Sequence, residues 1–580
     1  MKKVLRTEHP NPQFMRHSYE CLNGEWGFDF GSGKEKLNQD LPLSINVPFC
    51  PESALSGVGH TGICTDCVYT RVISVSAQDL EGRLVLHFGA VDYLAEVYVN
   101  GQFACRHTGG YTPFETDIAP LCQVGENRIT VCVHDDVREN TASGKQSNKE
   151  ESFGCFYTRT TGIWQTVWLE RTPKSFIRSI RVFPNVEKCS VTVEVNSTGV
   201  AESGTEIVVS YEGKEVGRVK GDGYYRKAYE IPLSEKHLWE VGCGRLYDLT
   251  VRYGEDEVQS YFGLREVRYE GMKFLLNGET VYQRLVLDQG YYRNGIYTAE
   301  TEEELVKDIH LSLALGFNGA RLHQKVFEPR FLYHCDKLGY IVWGEYPSWG
   351  VDTSNTDYLG RYCDECKEMI ERDFNHPSII TWCPINEAWC DLADNKKNRD
   401  VRFIEAVYYT CKALDKTRPC VDTSGGFHCE KTDLYDYHCY LLPDEMKSIL
   451  KELMEKNTLT VDMLYAPDWV VACEDEKKLV YPGDLPVNCS EYGGSAFVPG
   501  GQAWGYHSCA TEEEFIDQYV ALTESLIDCP KLSGFCYTQL YDVEQEQNGL
   551  YDYDRNPKFS KEGLETIKKC NQKVSAIETL

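Results

Sequence analysis

After Gly271 the sequence changes rhythm, and the new rhythm leaves few folds open. Short apolar, β-prone runs begin to alternate with helical stretches. The strands read VYQRLVLDQ, FNGARLHQ, YIVWGEYPS, SIITWCPINE, CVDTSGG, LYDYHCY, PVNCSEYGG and GFCYTQLYD. Between them lie stretches such as TEEELVKDIHLSLALG, YLGRYCDECKEMIERDF and TEEEFIDQYVALTESLI. Eight strand–helix pairs in about 300 residues predict a (β/α)8 TIM barrel over 271–580, by count as well as by pattern. Thr301 is expected to cap the first helix, with Glu304 completing a capping box and Gly316 closing the helix.

Upstream the pattern is all β. From Tyr19 to Glu170 come short alternating runs, GEWGFDF, RLVLHFGAV, LAEVYVNGQ, ENRITVCVHD and TVWLE, and Asn100-Gly101 between two of them is a hairpin signal. They predict a jelly-roll β-sandwich over 1–172. Pro173 punctuates. About seven strand-length runs up to Glu270 then predict an immunoglobulin-like β-sandwich over 173–270. No linker is rich in proline or serine, so the three units should pack rigidly.

A net charge of −29 and a pI near 5.0 exclude nucleic acid and an anionic membrane surface as partners, since both need a basic field. A small acidic substrate stays open, because a few local cations suffice to hold it. The opening MKKVLRTEHPNPQF has no apolar run behind its basic residues, and no window approaches 18 apolar residues. A cytoplasmic enzyme is expected, with its 25 cysteines reduced. Cys64/Cys67 and Cys363/Cys366 have metal-ligand spacing, but one pair reads as a loop and the other as a helix far away. No metal and no cofactor are expected.

Two of the barrel strands end unusually. HPSIITWCPINEAW runs from an apolar strand into Asn386 and Glu387, and LPVNCSEYGG climbs to Glu491 before breaking at Gly493-Gly494. Carboxylates at the carboxyl ends of the fourth and seventh strands would stand in the barrel mouth, where such folds do chemistry. A pair about 5 Å apart suits acetal cleavage with retention: one carboxyl protonated as acid/base, the other ionised as nucleophile. A lone strand-end glutamate is often a solvated surface group; two, each with its own context, point to glycoside hydrolysis.

These stretches resemble glycoside hydrolase family 2, which includes β-galactosidases, β-glucuronidases and β-mannosidases. HPSIITWCPINE looks like its acid/base signature and SEYGG like its nucleophile strand. VPFCPESALSG and TGIWQTVWLE resemble its sugar-binding domain, and FGLREV its junction into the barrel. DKLGYIVWGEYPSWG and CYTQLYDVEQEQNGLYDYDRNPK resemble its third and eighth strands. The resemblance covers essentially the whole chain. It implies Glu387 as acid/base, Glu491 as nucleophile and Asn386 as partner of the sugar 2-hydroxyl, with dimers or tetramers formed through the β domains.

Departures bear on the substrate. Where many members carry a sugar-contacting histidine segment, this chain has RLVLDQGYY, placing Asp288 and Gln289 there; Asp288 either accepts sugar hydroxyls or caps a loop. Arg321 and His323 resemble an Arg-x-x-His region, with Arg321 bracing the nucleophile and His323 a ligand or a buried structural partner. Trp349, His438, Tyr440, Tyr492 and Tyr537 are further candidates for sugar contact, followed by Gln539 and Glu544. β-Glucuronidases of the family carry an Asn-x-Lys pair that grips the substrate carboxylate, and no lysine follows Asn548 at that spacing. A terminal β-galactoside, or a related sugar such as an arabinoside, on a small oligosaccharide or glycoconjugate is therefore the expected substrate of an exo-acting retaining enzyme. The alternative is a β-hexuronide, galacturonide before glucuronide, clamped by Arg293, Lys325 or Arg330. The reading from another class is a non-catalytic carbohydrate-binding protein.

Overall fold

Period-2 alternation builds the first unit of the computed structural model, which describes residues 4–224, 226–388, 400–459, 481–498 and 504–580. Leu94–Val99 buries every second residue, Ala95, Val97 and Val99. It joins Gln102–Thr108 through Asn100 and Gly101, whose φ angles of 51° and 77° suit a type I′ turn. These strands edge an antiparallel sheet of six. A sheet of four, Glu20–Cys21, Val167–Thr172, Arg83–Phe88 and Phe114–Asp117, shares its core through Trp26, Phe28, Leu84, Leu86 and Val131. Between His134 and Gly162 this unit sends out a long stretch with no strand or helix.

The second unit packs a three-stranded against a four-stranded antiparallel sheet around Ile180, Val193, Ile207 and Leu249. Its last predicted strand, VQSYFGLREVRYE, is two. Asp256–Phe262 stays in the sandwich, while Val267–Glu270 pairs with Lys273–Leu276 at the foot of the barrel. The break follows from Arg265, which is buried and donates to the carbonyls of Pro377 and Ile379 at 3.0 and 2.9 Å, turning the chain toward the barrel.

Seven parallel strands form one barrel sheet. In chain order they are Gln283–Asp288, Gly319–Leu322, Ile341–Glu345, Ile379–Cys383, Tyr435–Cys439, Val487–Gly493 and Leu532–Thr538, and the first pairs with the last. The place between Ile379–Cys383 and Tyr435–Cys439 is filled by residues 419–426. There Trp382 exchanges hydrogen bonds of 3.0 Å with Pro419 and Val421, and Asn386–Ala388 pairs with Ser424–Gly426. Leu285, Leu287, Ile341, Trp343, Ile380, Val421 and Cys536 fill the interior, closed below by Trp239, Phe274 and Leu276. Gln283, at the start of the first strand, is a buried polar residue at this lower end, where it accepts from Trp343 Nε1 at 2.8 Å and donates to the Tyr269 hydroxyl at 3.1 Å.

The helices cover the outside, burying positions such as Tyr362, Cys366, Met369 and Ile370 of Leu359–Asp373. The capping box expected at Thr301 is absent: Glu304 reaches back to the amide of Glu300 at 2.8 Å, and the Thr301 side chain makes no cap bond. Gly316, at φ 82°, lies one residue beyond the C-cap Leu315. Among the described residues no helix is long and apolar enough to cross a membrane. The amino-terminal segment also leaves the first unit. Arg6 pairs with Glu328 on the barrel at 2.7 Å, and Met15 exchanges 2.9 Å backbone bonds with Gln259 of the second sandwich.

Candidate active site

Glu387 and Glu491 meet at one histidine. Pro384 breaks the fourth strand, and the chain resumes as Asn386–Ala388 with Glu387 at φ 50°, a left-handed backbone that costs energy in a non-glycine residue. Nδ1 of His438, from the sixth strand, lies 2.7 Å from Glu387 Oε1 and 3.4 Å from Glu491 Oε2. Ligand atoms of the three residues fall within 4.8 Å of one another. Burial works against a charge on His438, but the two carboxylates outweigh it and raise its pKa. The triad is the one described set with metal-ligand spacing, and Nδ1 of its histidine is engaged by Glu387 at 2.7 Å.

Arg321 braces Glu491 from the second strand. Its guanidinium donates to Glu345 Oε2 at 2.6 Å, Glu491 Oε1 at 2.7 Å and Asn386 Oδ1 at 2.5 Å, all out of solvent. Tyr440 gives its hydroxyl to Glu491 Oε2 at 2.5 Å and stacks on Tyr506. Burial alone would raise the pKa of Glu491; His438, Arg321 and the Tyr440 hydroxyl reverse this and hold it at about 2. His323 lies 3.1 Å from Glu345 Oε1, and burial, with Lys145 second, keeps its ring neutral. Nδ2 of Asn386 is buried and unpaired among the described residues. Trp389, which ends the same sequence motif, lies outside them.

Other expected residues divide by the face of the strand they occupy. Asp288 caps its own loop, accepting from the Gly290 amide at 2.9 Å and the Tyr541 hydroxyl at 2.7 Å. Gln289 donates to Gln539 at 2.7 Å and keeps its Oε1 unpaired. Trp349, which follows the third strand, packs its ring against Phe156 at 5.4 Å and Lys145 at 5.2 Å, both from the first sandwich. Tyr492, one residue after Glu491, points to the opposite face and bonds Thr523 on helix Glu512–Ile527 at 2.8 Å. Tyr537, paired with it in register, packs against Tyr492 and Tyr519 on that same face. Glu544 accepts from the backbone amide of Thr158 in the first sandwich.

The three cations expected as a carboxylate clamp are not brought to the glutamates. Arg293 is half exposed and paired with Asp554 at 2.5 Å. Lys325 spends its hydrogens on the carbonyls of Gly290 and Tyr297 at 2.5 and 2.8 Å, and burial lowers its pKa to about 7. Arg330 is taken by Glu302 and the His9 carbonyl. Arg293 and Lys325 sit in βα loops and Arg330 in the first turn of helix Pro329–Leu338, and each is taken by a nearby acceptor.

Sequence reasoning passed over two residues. Glu345 ends the third strand, fully buried, as the second carboxylate on Arg321. Lys145 comes from the irregular stretch of the first sandwich, with its Nζ 5.2 Å from the Trp349 ring centroid. The length of that stretch was the available signal, since structureless loops so long are uncommon unless they have a task.

The sequence matches Glycosyl hydrolases family 2, sugar binding domain, over residues 37–173, and Glycosyl hydrolases family 2, TIM barrel domain, over 267–575. It is 26% identical to a β-glucuronidase from Paenibacillus borealis over 462 residues, 72% of this chain and 75% of that one. It is 27% identical to a β-galactosidase from Thermoanaerobacter pseudethanolicus over 414 residues, 67% of this chain and 53% of that one. The fold is similar to that of Bifidobacterium dentium β-glucuronidase complexed with coumarin-3-O-glucuronide, at a TM-score of 0.79 and 21% identity, covering 96% of this chain and 98% of that one. A barrel profile spanning more than half of the sequence, preceded by the family's sugar-binding domain, makes the chain a member of glycoside hydrolase family 2.

Proposed function

We propose that the protein is a retaining exo-β-glycosidase whose terminal sugar is a β-hexuronide. The observation that carries the mechanism is the carboxylate pair, with oxygens inside 4.8 Å around His438. That spacing suits direct attack; inverting enzymes need about 6.5–9.5 Å between the carboxyls to seat a water. The roles follow from environment. Glu491, sealed at 4% exposure and held ionised by Arg321, His438 and Tyr440, attacks the anomeric carbon. Glu387, at 13% exposure, faces the opening and hands a proton to the departing oxygen, then takes one from the incoming water. Asn386, held by Arg321, offers its free Nδ2 hydrogens to the sugar 2-hydroxyl.

The choice of a uronide rests on the company the chain keeps. Its relatives and structural neighbours are mainly named β-glucuronidases, which favours the hexuronide over the galactoside expected from the sequence. A β-galactoside is the second reading, supported by the β-galactosidase relative and by the missing lysine after Asn548.

Initial rates on p-nitrophenyl β-glucuronide, β-galacturonide, β-galactoside, β-mannoside and α-L-arabinosides test both halves. A uronide should lead the neutral sugars by tenfold or more in kcat/KM, about 1.4 kcal/mol of transition-state preference. A leading galactoside overturns the choice of sugar. Glu491→Gln should lower kcat by about 10³-fold or more on every substrate; wild-type turnover would remove Glu491 from its role.

A further inference from the structure

The stretch between His134 and Gly162 enters the barrel mouth from another domain, and it does so under tight constraint. The amides of Ser143 and Gly144 both donate to the Trp349 carbonyl at 3.0 Å, beyond the third strand. Gly144 lies at φ 58°, and a Cβ there would collide with the carbonyl of Gln324 at the end of the second strand. The amide of Tyr157 donates to the Lys145 carbonyl at 2.8 Å, closing a hairpin-like turn. Gln146 is fixed by Asp92 at 2.6 Å and by the Thr160 amide at 2.8 Å. The backbone of Lys145 is therefore held from both sides.

Among the described residues its side chain is held by no acceptor. Lys145 is 5% exposed, yet among the described residues it makes no side-chain hydrogen bond and no ion pair. Nζ lies 5.2 Å from the ring centroid of Trp349 and 5.8 Å from that of Tyr157, a partial aromatic cage. Burial disfavours its charge, but Glu546, and after it Glu491 and Glu387, raise its pKa above the ordinary lysine value. Glu546 is itself committed, accepting from the Tyr157 hydroxyl and from Asn548 Nδ2 at 3.0 Å. A largely buried ammonium with no acceptor among the described residues is costly unless something completes it.

We propose that Lys145 is the cation that binds the carboxylate of the terminal uronic acid, so that the first sandwich supplies a specificity-determining residue to the barrel's active site. The inference rests on the hexuronide reading and gives it a ligand. Such an ion pair, desolvated and backed by aromatic faces, discriminates a carboxylate from a hydroxymethyl group through charge, which a hydroxyl-binding pocket does not.

The test compares kcat/KM for p-nitrophenyl β-glucuronide and β-galacturonide with the matched β-glucoside and β-galactoside, in wild type, Lys145→Met and Lys145→Arg. For the preferred uronide, the uronide-to-neutral ratio should fall about a hundredfold in Lys145→Met, mostly through KM, and be partly restored in Lys145→Arg. Removing an unpaired buried charge should leave Tm unchanged or higher, whereas a structural lysine would lower it. A wild type that prefers uronides, combined with an unchanged ratio in both variants, overturns the role of Lys145 and leaves the hexuronide reading standing. Should Lys145→Met not fold, the lysine is structural and the proposal fails. A wild type that prefers neutral sugars overturns the hexuronide reading, and the proposal with it.

Discussion

Arg321 offers one planar fork to three acceptors, Glu345, Glu491 and Asn386, which an ammonium cannot match. Arg321→Lys should therefore lower kcat/KM by about 10–100-fold and weaken the hold on Glu491. With its pKa rising from about 2, the acidic limb of the pH–rate profile moves to higher pH. An unmoved limb would show that His438 and Tyr440 suffice. At this scale the sequence was readable wherever a side chain's role depended on its own strand. Glu387 and Glu491 stood out because an apolar run ends on each, and Arg321 because its strand resembles the family's Arg-x-x-His region. Lys145 did not, because its neighbours Trp349 and Glu546 lie far along the chain and no local pattern announces them. Arg293, Lys325 and Arg330 misled for the converse reason: a cation that follows a barrel strand in the sequence says nothing about which acceptor captures it.

Strand alternation decided which tyrosines face the glutamates. Tyr440 extends the inward row and reaches Glu491, whereas Tyr492 falls on the outward one, a distinction open to period-2 counting once the glutamate is taken as inward. Breaks in an element were harder to see. The end of the second sandwich and the cap at Thr301 depended on Arg265 and on the Glu300 amide, contacts that intrinsic propensity does not encode. The long stretch after His134 is the element most exposed to test. Gly144→Ala must either accept strain at φ 58° or back away from Gln324, and either shift displaces Lys145. KM for the preferred substrate should rise about tenfold or more, with little change in Tm because the sandwich core is untouched. A fall in Tm with KM unaltered would place the role of Gly144 in folding.

Across the molecule, one arginine ties the first two units together. Arg16 bonds Glu170 of the first sandwich at 2.8 Å and Asp256 of the second at 2.9 Å, all three buried. Arg16→Met leaves two carboxylates without their cation and should cost about 3–5 kcal/mol in denaturant unfolding. Burial would raise the pKa of Glu170, but His9, His87 and Arg16 prevail and depress it from 4.5 to about 2. A depressed carboxylate stabilises the fold fully above its unfolded value and loses that contribution as pH falls from about 4.5 to 2. Tm of the wild type should decline through this window, and the decline should be shallower in Arg16→Met, because the folded value then lies closer to the unfolded one; coincident curves would assign acid sensitivity elsewhere. The order of the three units was legible from periodicity, but the crossing of the amino-terminal segment over all of them was not, since Arg6 and Met15 find their partners on other units. The reach of the 135–161 stretch into the barrel mouth has a consequence for descent. A pocket walled by a neighbouring module is not inherited piecemeal: an ancestor that exchanged its sandwich would have kept its chemistry and changed its diet, and a chimera built today should do the same.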